Sequence, residues 1–242
     1  QRQNIGRDLA IKLRRKVVAY RITQMLHDIG RFEQVKRFDS FIDAETVDHA
    51  KFGADILFGP APGSDRLNDE EKEAGPQIEH FVDSLLTHPE RSLIELAIRV
   101  HNDFRIPEDL TERERMFCNI LRDADKVDIF RVNNEFPMEV IYNCSSEELN
   151  LHPVAPGVMQ AVEEMHCVLR SLKESPIDNI VSHICLAFEL VYPLSLQITM
   201  EQGYLDRLLN LEPDHPVAKE QFAYIRAQIK RLMASQESGT NV

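Results

Sequence analysis

Apolar residues recur at helical spacing along most of this chain, and the alternation expected of strands is scarce. Ile5, Leu9 and Leu13 are four residues apart, which places them on one face of a helix. The same periodicity predicts helices at residues 5–13, 17–26, 44–58, 76–86, 90–101, 112–125, 157–174, 178–195, 200–209 and 216–233. We therefore expect an all-α protein, a multi-helix bundle.

Capping residues and loop composition set several boundaries. Asp43 is a candidate N-cap for helix 44–58. Thr111 and Glu114 have the spacing of a capping box, which predicts that a helix begins there. Residues 59–75 are rich in Pro, Gly, Ser and acidic residues, which is typical of a loop.

The composition is that of an ordinary globular protein with an acidic excess. Of the 242 residues, 43% are hydrophobic and 28% are charged, so a sizeable core can form, and the formal net charge is −12. This charge disfavours binding to a nucleic-acid duplex or to an anionic membrane. It does not disfavour a small anionic substrate, because a bound metal ion reverses the local field.

Cysteine usage and the absence of targeting patterns favour a location in the cytoplasm. Four cysteines, Cys118, Cys144, Cys167 and Cys185, have no C-x-x-C spacing, and we expect them to be reduced. No signal-peptide pattern is present, and no apolar run reaches the roughly 18 residues of a membrane span. We therefore expect a cytoplasmic protein that makes no membrane contact.

An adjacent His and Asp end one of the apolar helical runs. His27 and Asp28 lie within the segment LHDIGR, residues 26–31. Such a pair is poorly suited to a protein core unless a charged group holds it. A divalent metal ion is the simplest such group, because it accepts both imidazole nitrogen and carboxylate oxygen. The pair therefore predicts a metal site.

Other candidate ligands follow along the chain. His49 lies in helix 44–58 and is followed on the same face by Gly53, which would let another element approach closely. His101 ends helix 90–101, and Asp125 lies in helix 112–125. Asp123 is an alternative to Asp125 as the ligand, or it orients a ligand from outside the coordination shell.

Together these residues resemble the HD superfamily of metal-dependent phosphohydrolases, which are all-α proteins named for a His…His-Asp…Asp metal site. His27 and Asp28 match the central pair, and Asp125, followed by Lys126, matches the final Asp. His49 and His101 are similar to the second-metal histidines of the binuclear branch. The resemblance covers about residues 1–131.

The resemblance implies a metal centre and an activity. The implied ligands are His27, Asp28, His49, His101 and Asp125, and they would bind one or two divalent ions of Mn, Fe, Ni, Co or Zn, with Mg also admitted. Arg31 and Lys126 each closely follow a proposed ligand, so we expect their side chains to stabilise charge on the phosphoryl group. With Asp28 they are the expected catalytic residues. We expect residues 1–150 to form the HD-like metal-binding core. Residues 151–242 would then be a C-terminal helical extension packed on the same domain.

Two departures from the family pattern bear on this expectation. No His precedes His27, although the family's first His lies on the preceding helix, and we expect it upstream of Gln1. The binuclear branch often has His-His where this chain has Val100-His101, which leaves a second ion fewer protein ligands.

The chemistry required leads to one principal function and two alternatives. Phosphate-ester hydrolysis needs neutralised phosphoryl oxygens and hydroxide at neutral pH, and divalent ions provide both. We expect a phosphohydrolase acting on a small phosphomonoester or phosphodiester, with a nucleotide as the favoured class. One alternative is a catalytically degenerate regulatory or ligand-binding module of the HD type. The other is a structural metal in a homo-oligomer assembled through the C-terminal helices.

Overall fold

The structure, a computed structural model, describes residues 21, 23–40, 42–43, 45–59 and 87–237. These residues form helices and connecting segments without a strand, which confirms the all-α prediction for the described part of the chain. Residues 23–26 are helical and form the end of predicted helix 17–26. The predicted helices 5–13 and 76–86 lie outside the described residues.

Eleven α-helices are present among the described residues. They are α1 (Ile29–Phe38), α2 (His49–Phe58), α3 (His88–Val100), α4 (Glu112–Glu135), α5 (Met138–Tyr142), α6 (Ser146–Asn150), α7 (Pro156–Glu163), α8 (Pro176–Cys185), α9 (Pro193–Gln202), α10 (Tyr204–Leu209) and α11 (Pro216–Glu237). Short 3₁₀ helices occupy Arg170–Leu172 and Leu186–Glu189. None of the helices in this described part combines the length and apolar character that a membrane span requires.

The chain divides into two compact units between Arg122 and Asp123, within α4. The predicted boundary at residue 150, between a metal-binding core and a C-terminal extension, lies inside the second unit and stays a prediction.

The core of the first unit is formed by α2, α3 and the first half of α4. Ile94, Ala97 and Ile98 are fully buried on one face of α3, where their i, i+3 and i+4 spacing aligns them. Burying each isoleucine stabilises the fold by about 1.5–3 kcal/mol. A buried ion pair also joins the two helices, since Arg99 of α3 lies 2.5 Å from the carboxylate of Asp55 in α2.

Two glycines allow α1 and α2 to pack backbone against backbone. A Cβ atom on Gly30 would overlap the carbonyl oxygen of His49 and lie 2.7 Å from the backbone nitrogen of Gly53. A Cβ on Gly53 would lie 3.0 Å from the backbone nitrogen of Gly30. The close approach requires glycine because backbone atoms cannot move aside as a flexible side chain can. The predicted role of Gly53 is thus confirmed.

The second unit has its own core, in which Ile180, Val181 and Ile184 of α8 and Phe222 and Ile225 of α11 are fully buried. Helix α8 begins with a capping box. In it, the Ser175 side chain accepts from the backbone N–H of Asp178, and the Asp178 side chain accepts from the backbone N–H of Ser175.

Three long helices predicted in this unit were wrong. Predicted helix 157–174 is α7, which stops at Glu163, followed by Met165 at φ 55° and a 3₁₀ turn. Predicted helix 178–195 is divided into α8, a 3₁₀ turn and the start of α9. Helix α9 begins at Pro193, because proline has no backbone N–H to donate to a preceding helical turn. Predicted helix 200–209 is divided at Gly203, whose φ of 65° ends α9.

Of the other helices, α1 was not predicted from the sequence, and α4 runs to Glu135, past the predicted end at residue 125. Several remaining helix ends agree better with the sequence pattern. The capping box at Thr111 is confirmed, since Glu114 accepts from the Thr111 backbone N–H and donates its own backbone N–H to the Thr111 hydroxyl. Predicted helices 90–101 and 216–233 correspond to α3 and α11, the latter extending to Glu237.

Gly30→Ala should destabilise the protein by roughly 1–3 kcal/mol, because the new methyl group must separate two backbones. Chemical denaturation followed by circular dichroism measures the free energy of unfolding. Gly157→Ala is the matched control, since its Cβ would meet only the flexible side chain of Leu172. An equal loss of unfolding free energy in the two variants would contradict the backbone contact.

A partly buried histidine in the second unit is expected to make stability depend on pH. The His183 ring nitrogen Nδ1 lies 2.9 Å from the Tyr142 hydroxyl and 3.2 Å from the amide nitrogen of buried Asn133. Burial, with the positive charge of Lys173 adding to it, lowers the pKa of His183 from 6.5 to about 4. The unfolded chain thus binds this proton at a higher pH than the folded protein does, so stability falls as pH drops from 6.5 towards 4.

His183→Gln should reduce the slope of unfolding free energy against pH by at most about 1.4 kcal/mol per pH unit within this interval. Denaturant titrations across the pH range measure it. His152→Gln, which alters an exposed histidine of the same unit, should leave the slope unchanged. The interpretation fails if both variants retain the parent slope.

Candidate metal centre

Three predicted ligand histidines and one aspartate come together in the first unit, each from the end of a helix. His27 and Asp28 occupy the turn that precedes α1, with Asp28 at the N-cap position. His49 is the first residue of α2, and His101 is the C-cap of α3. The turn before α1, the start of α2 and the end of α3 therefore place all four residues together.

The imidazole Nε2 atoms converge on the Asp28 carboxylate. His27 Nε2 lies 3.5 Å from Oδ2, His49 Nε2 lies 3.3 Å from Oδ1, and His101 Nε2 lies 3.9 Å from Oδ1. The Nε2 atoms of His49 and His101 are 3.1 Å apart. His27, Asp28 and His101 each offer one ligand atom within 4.8 Å of the others.

The other nitrogen of each ring has an acceptor. His27 Nδ1 lies 2.8 Å from the carbonyl oxygen of Gln24, and His101 Nδ1 lies 2.7 Å from that of Ile98. His49 Nδ1 lies 2.7 Å from the carboxylate of Asp43. A carbonyl or carboxylate oxygen can only accept, so each of these Nδ1 atoms is placed to donate a proton to its partner. Ligand histidines are usually oriented in this way in metal sites.

Local structure explains how Asp28 and His101 reach the centre. The Asp28 side chain makes no capping hydrogen bond with α1, although it occupies the N-cap position, so it is free to face the histidines. The close contact at Gly30 brings it against His49. Beyond the end of α3, Arg122 donates to the carbonyl oxygens of Val100, His101 and Asp103 and so holds the segment that carries His101.

The electrostatics of the cluster favour positive charge between these groups. Burial acts to raise the pKa of Asp28, but hydrogen bonding with His49 and the charges of the surrounding histidines outweigh it and lower the pKa to about 2. Burial acts to lower the pKa of His49, yet hydrogen bonds to Asp28 and Asp43 outweigh burial and raise it. A carboxylate that stays ionised and an imidazole that attracts a proton both suit a site for a cation.

Asp43 has a different role from the one its position in the sequence predicts. The prediction that it caps a helix at residue 44 was wrong, because α2 begins at His49 and Asp48 is its N-cap, accepting from the backbone N–H groups of Ala50 and Lys51. Asp43 instead accepts from His49 and Arg31, six and twelve residues away. Burial acts to raise the pKa of Asp43, but the hydrogen bond and charge of His49 and the charge of Arg31 hold it well below its ordinary value.

Arg31 lies at the edge of the cluster, as a phosphate-binding residue would need to. Its guanidinium donates to Asp43 over 2.7 Å and to the Gln34 side chain over 3.2 Å, and its Nε lies 3.9 Å from Asp28. The Arg31 side chain is 34% exposed and that of Asp28 is 46% exposed. The centre is therefore partly open to solvent.

Asp125, the last predicted ligand, and Lys126, the second predicted cation, belong to the second unit. Lys126 is buried and donates to the carbonyl oxygen of Glu189 over 2.9 Å. Asp123 is also buried and accepts from the backbone N–H groups of Val191 and Tyr192 just before α9, which favours a structural role for it. Asp125 as a ligand and Lys126 as a catalytic residue stay predictions.

Sequence reasoning missed the polar residues that support the histidines. Gln34 is fully buried in α1, and its amide donates to Asp43, to Thr46 and to the carbonyl oxygen of Val47. Asn102 donates to Asp43 and Asp48. A glutamine at a position that faces a neighbouring helix is the signal that could have indicated such a network, because buried amides need partners.

The residues present fit a divalent transition metal. Imidazole nitrogens and a carboxylate oxygen form a mixed donor set suited to Mn, Fe, Co, Ni or Zn. With each Nδ1 donating to its acceptor, the Nε2 atoms would be available to bind an ion beside the Asp28 carboxylate. The described residues of the first unit thus provide up to four ligands, three of them the histidines predicted from the sequence.

Comparison of the chain with protein-family models, with curated proteins and with solved structures finds no match. The resemblance to the HD superfamily is therefore carried by the residues described above and stays a prediction.

Arg122→Met should destabilise the first unit by about 1.5–3 kcal/mol, since the carbonyl oxygens at the end of α3 lose a charged donor. Hydrogen exchange of backbone amides around His101 should accelerate in the same variant. Arg113→Met is the control, because Arg113 is exposed on the opposite face of α4. It should change neither the stability nor the hydrogen exchange around His101. Equal behaviour of the two variants would show that Arg122 does not hold the His101 segment.

Proposed function

We propose that this protein is a metal-dependent phosphohydrolase that acts on a small phosphorylated molecule. The observation that carries the proposal is the convergence of three Nε2 atoms on the Asp28 carboxylate, with every Nδ1 atom held by an acceptor. A packed core would not require three oriented imidazoles around one ionised carboxylate. Histidines that bind a metal ion are usually held in this way.

The open side of the cluster supports a reactive centre over a structural one. Structural zinc sites are closed, with four protein ligands that are most often cysteines. Here no cysteine belongs to the described cluster, and the Asp28 carboxylate is 46% exposed beside a partly exposed arginine. Such an arrangement leaves room for a substrate oxygen.

The proposed roles of the residues follow from their positions. His27, Asp28, His49 and His101 would hold the ion, with Asp125 as a predicted further ligand. A divalent ion bound there supplies Lewis acidity for a phosphoryl oxygen and lowers the pKa of water. Arg31 would bind a phosphoryl oxygen through its planar guanidinium, which matches phosphate geometry. Lys126 stays the second predicted cation.

The substrate is proposed only as a class. A phosphomonoester or phosphodiester fits one guanidinium beside one metal centre, and a nucleotide is the member of this class that the resemblance to the HD superfamily favours. The alternative, a ligand-binding module without turnover, would keep the metal and the arginine. It differs from the enzyme only in the absence of hydrolysis.

Purified protein incubated with Mn, Fe, Co, Ni or Zn should retain about one or two equivalents of at least one ion per chain, as measured by mass spectrometry of the metal. Asp28→Ala should lose most of this metal because the variant removes the carboxylate on which the histidines converge. Its circular dichroism spectrum should remain helical. Asp109→Ala, an exposed aspartate in the first unit, should bind metal as the parent does.

The loaded protein should hydrolyse p-nitrophenyl phosphate, bis-p-nitrophenyl phosphate or a nucleotide, and Asp28→Ala should not. Metal binding without hydrolysis of any of these would favour the ligand-binding module. Metal retention or full activity in Asp28→Ala would refute the proposed centre.

A further inference from the structure

Asp43 accepts hydrogen bonds from four donors that belong to different parts of the first unit. Its Oδ1 atom accepts from Arg31 over 2.7 Å and from Gln34 over 3.1 Å. Its Oδ2 atom accepts from His49 over 2.7 Å and from Asn102 over 3.3 Å. One carboxylate thus joins the proposed phosphate-binding arginine, a proposed metal ligand and the residue that follows His101.

Only an ionised carboxylate can serve all four donors. Two oxygen atoms that accept only are matched here with an imidazole N–H, a guanidinium N–H and two amide N–H groups. An amide in the same place would turn its NH₂ group towards one of the two pairs. Either His49 or Arg31 would then face a donor in place of an acceptor.

The Asp43 carboxylate is itself held in place by α1. Gln34 is fully buried, and its amide also donates to Thr46 over 2.6 Å and to the carbonyl oxygen of Val47 over 2.9 Å. These bonds attach the segment between α1 and α2 to α1. The position of Asp43 is therefore fixed before any ligand binds, as preorganised sites require.

We propose that Asp43 is a positioning residue that sets two features of the centre at once. It favours the His49 tautomer with the proton on Nδ1, which leaves Nε2 unprotonated and available to the ion proposed beside Asp28. It also holds the Arg31 guanidinium beside Asp28, where the two side chains are 3.9 Å apart. This inference rests on the proposed function in that His49 is taken as a ligand and Arg31 as a phosphate-binding residue.

The experiment compares Asp43→Asn and Asp43→Ala with the parent by two measurements. The first is the tautomer of His49 in the metal-free protein, from ¹H–¹⁵N spectra of the imidazole ring at a pH where the ring is neutral. The His49 signals are assigned by their loss in His49→Gln. The second is the dissociation constant of Co²⁺, from competition with a chelator.

The parent should show His49 wholly in the Nδ1–H form. Asp43→Ala should shift it substantially to the Nε2–H form and should weaken Co²⁺ binding about 10–100-fold, the usual effect of losing a partner behind a ligand. Asp43→Asn should shift the tautomer as well if its oxygen stays with Arg31 and Gln34. If its oxygen stays with His49, the tautomer is kept and Co²⁺ binds normally, but the KM for the phosphate ester rises because Arg31 is released.

Asp39→Asn is the matched control, because it removes the same charge four residues away at an exposed position and asparagine tolerates the φ of 52° found there. It should change neither the tautomer nor the Co²⁺ affinity. The inference is overturned if His49 stays wholly in the Nδ1–H form and Co²⁺ affinity is unchanged in Asp43→Ala. The tautomer is measured without metal or substrate, so a failure of the proposed enzyme activity would leave this part of the test intact.

Discussion

The close backbone contact between Gly30 and Gly53 is the constraint on which the candidate centre depends. It lets α1 and α2 approach until a side chain at Gly30 would overlap the carbonyl oxygen of His49. Asp28 precedes Gly30 by two residues and His49 begins α2, so this contact brings the carboxylate within 3.3 Å of the imidazole. A larger residue at this crossing would separate the helices and the two groups together.

A set of hydrogen bonds then converts proximity into orientation. Backbone carbonyl oxygens hold Nδ1 of His27 and His101, and the Asp43 carboxylate holds Nδ1 of His49. Arg122 fixes the carbonyl oxygens around His101. These bonds restrain the orientation of the three rings, and this arrangement favours a metal centre over an accidental group of polar residues.

Much of this could be predicted from the sequence, and the rest could not for identifiable reasons. Helical periodicity predicted α2, α3 and the beginning of α4 but not α1. The resemblance to the HD superfamily predicted that His27, Asp28, His49 and His101 meet. The role of Asp43 could not be predicted, because its partners Arg31 and Asn102 are 12 and 59 residues away and local propensity favours a cap. In the second unit, periodicity continued across Pro193 and Gly203, where local backbone geometry ends a helix.

The most direct test of the account is anomalous diffraction from crystals of the protein grown with Co²⁺. The account predicts an anomalous peak about 2.0–2.2 Å from Nε2 of His27 and of His101 and from a carboxylate oxygen of Asp28, the distances typical of such ligands. The three rings should keep the Nδ1 hydrogen bonds seen here. A peak elsewhere on the protein, or no peak at an ion concentration that saturates binding, would contradict the assignment of these residues to a metal centre.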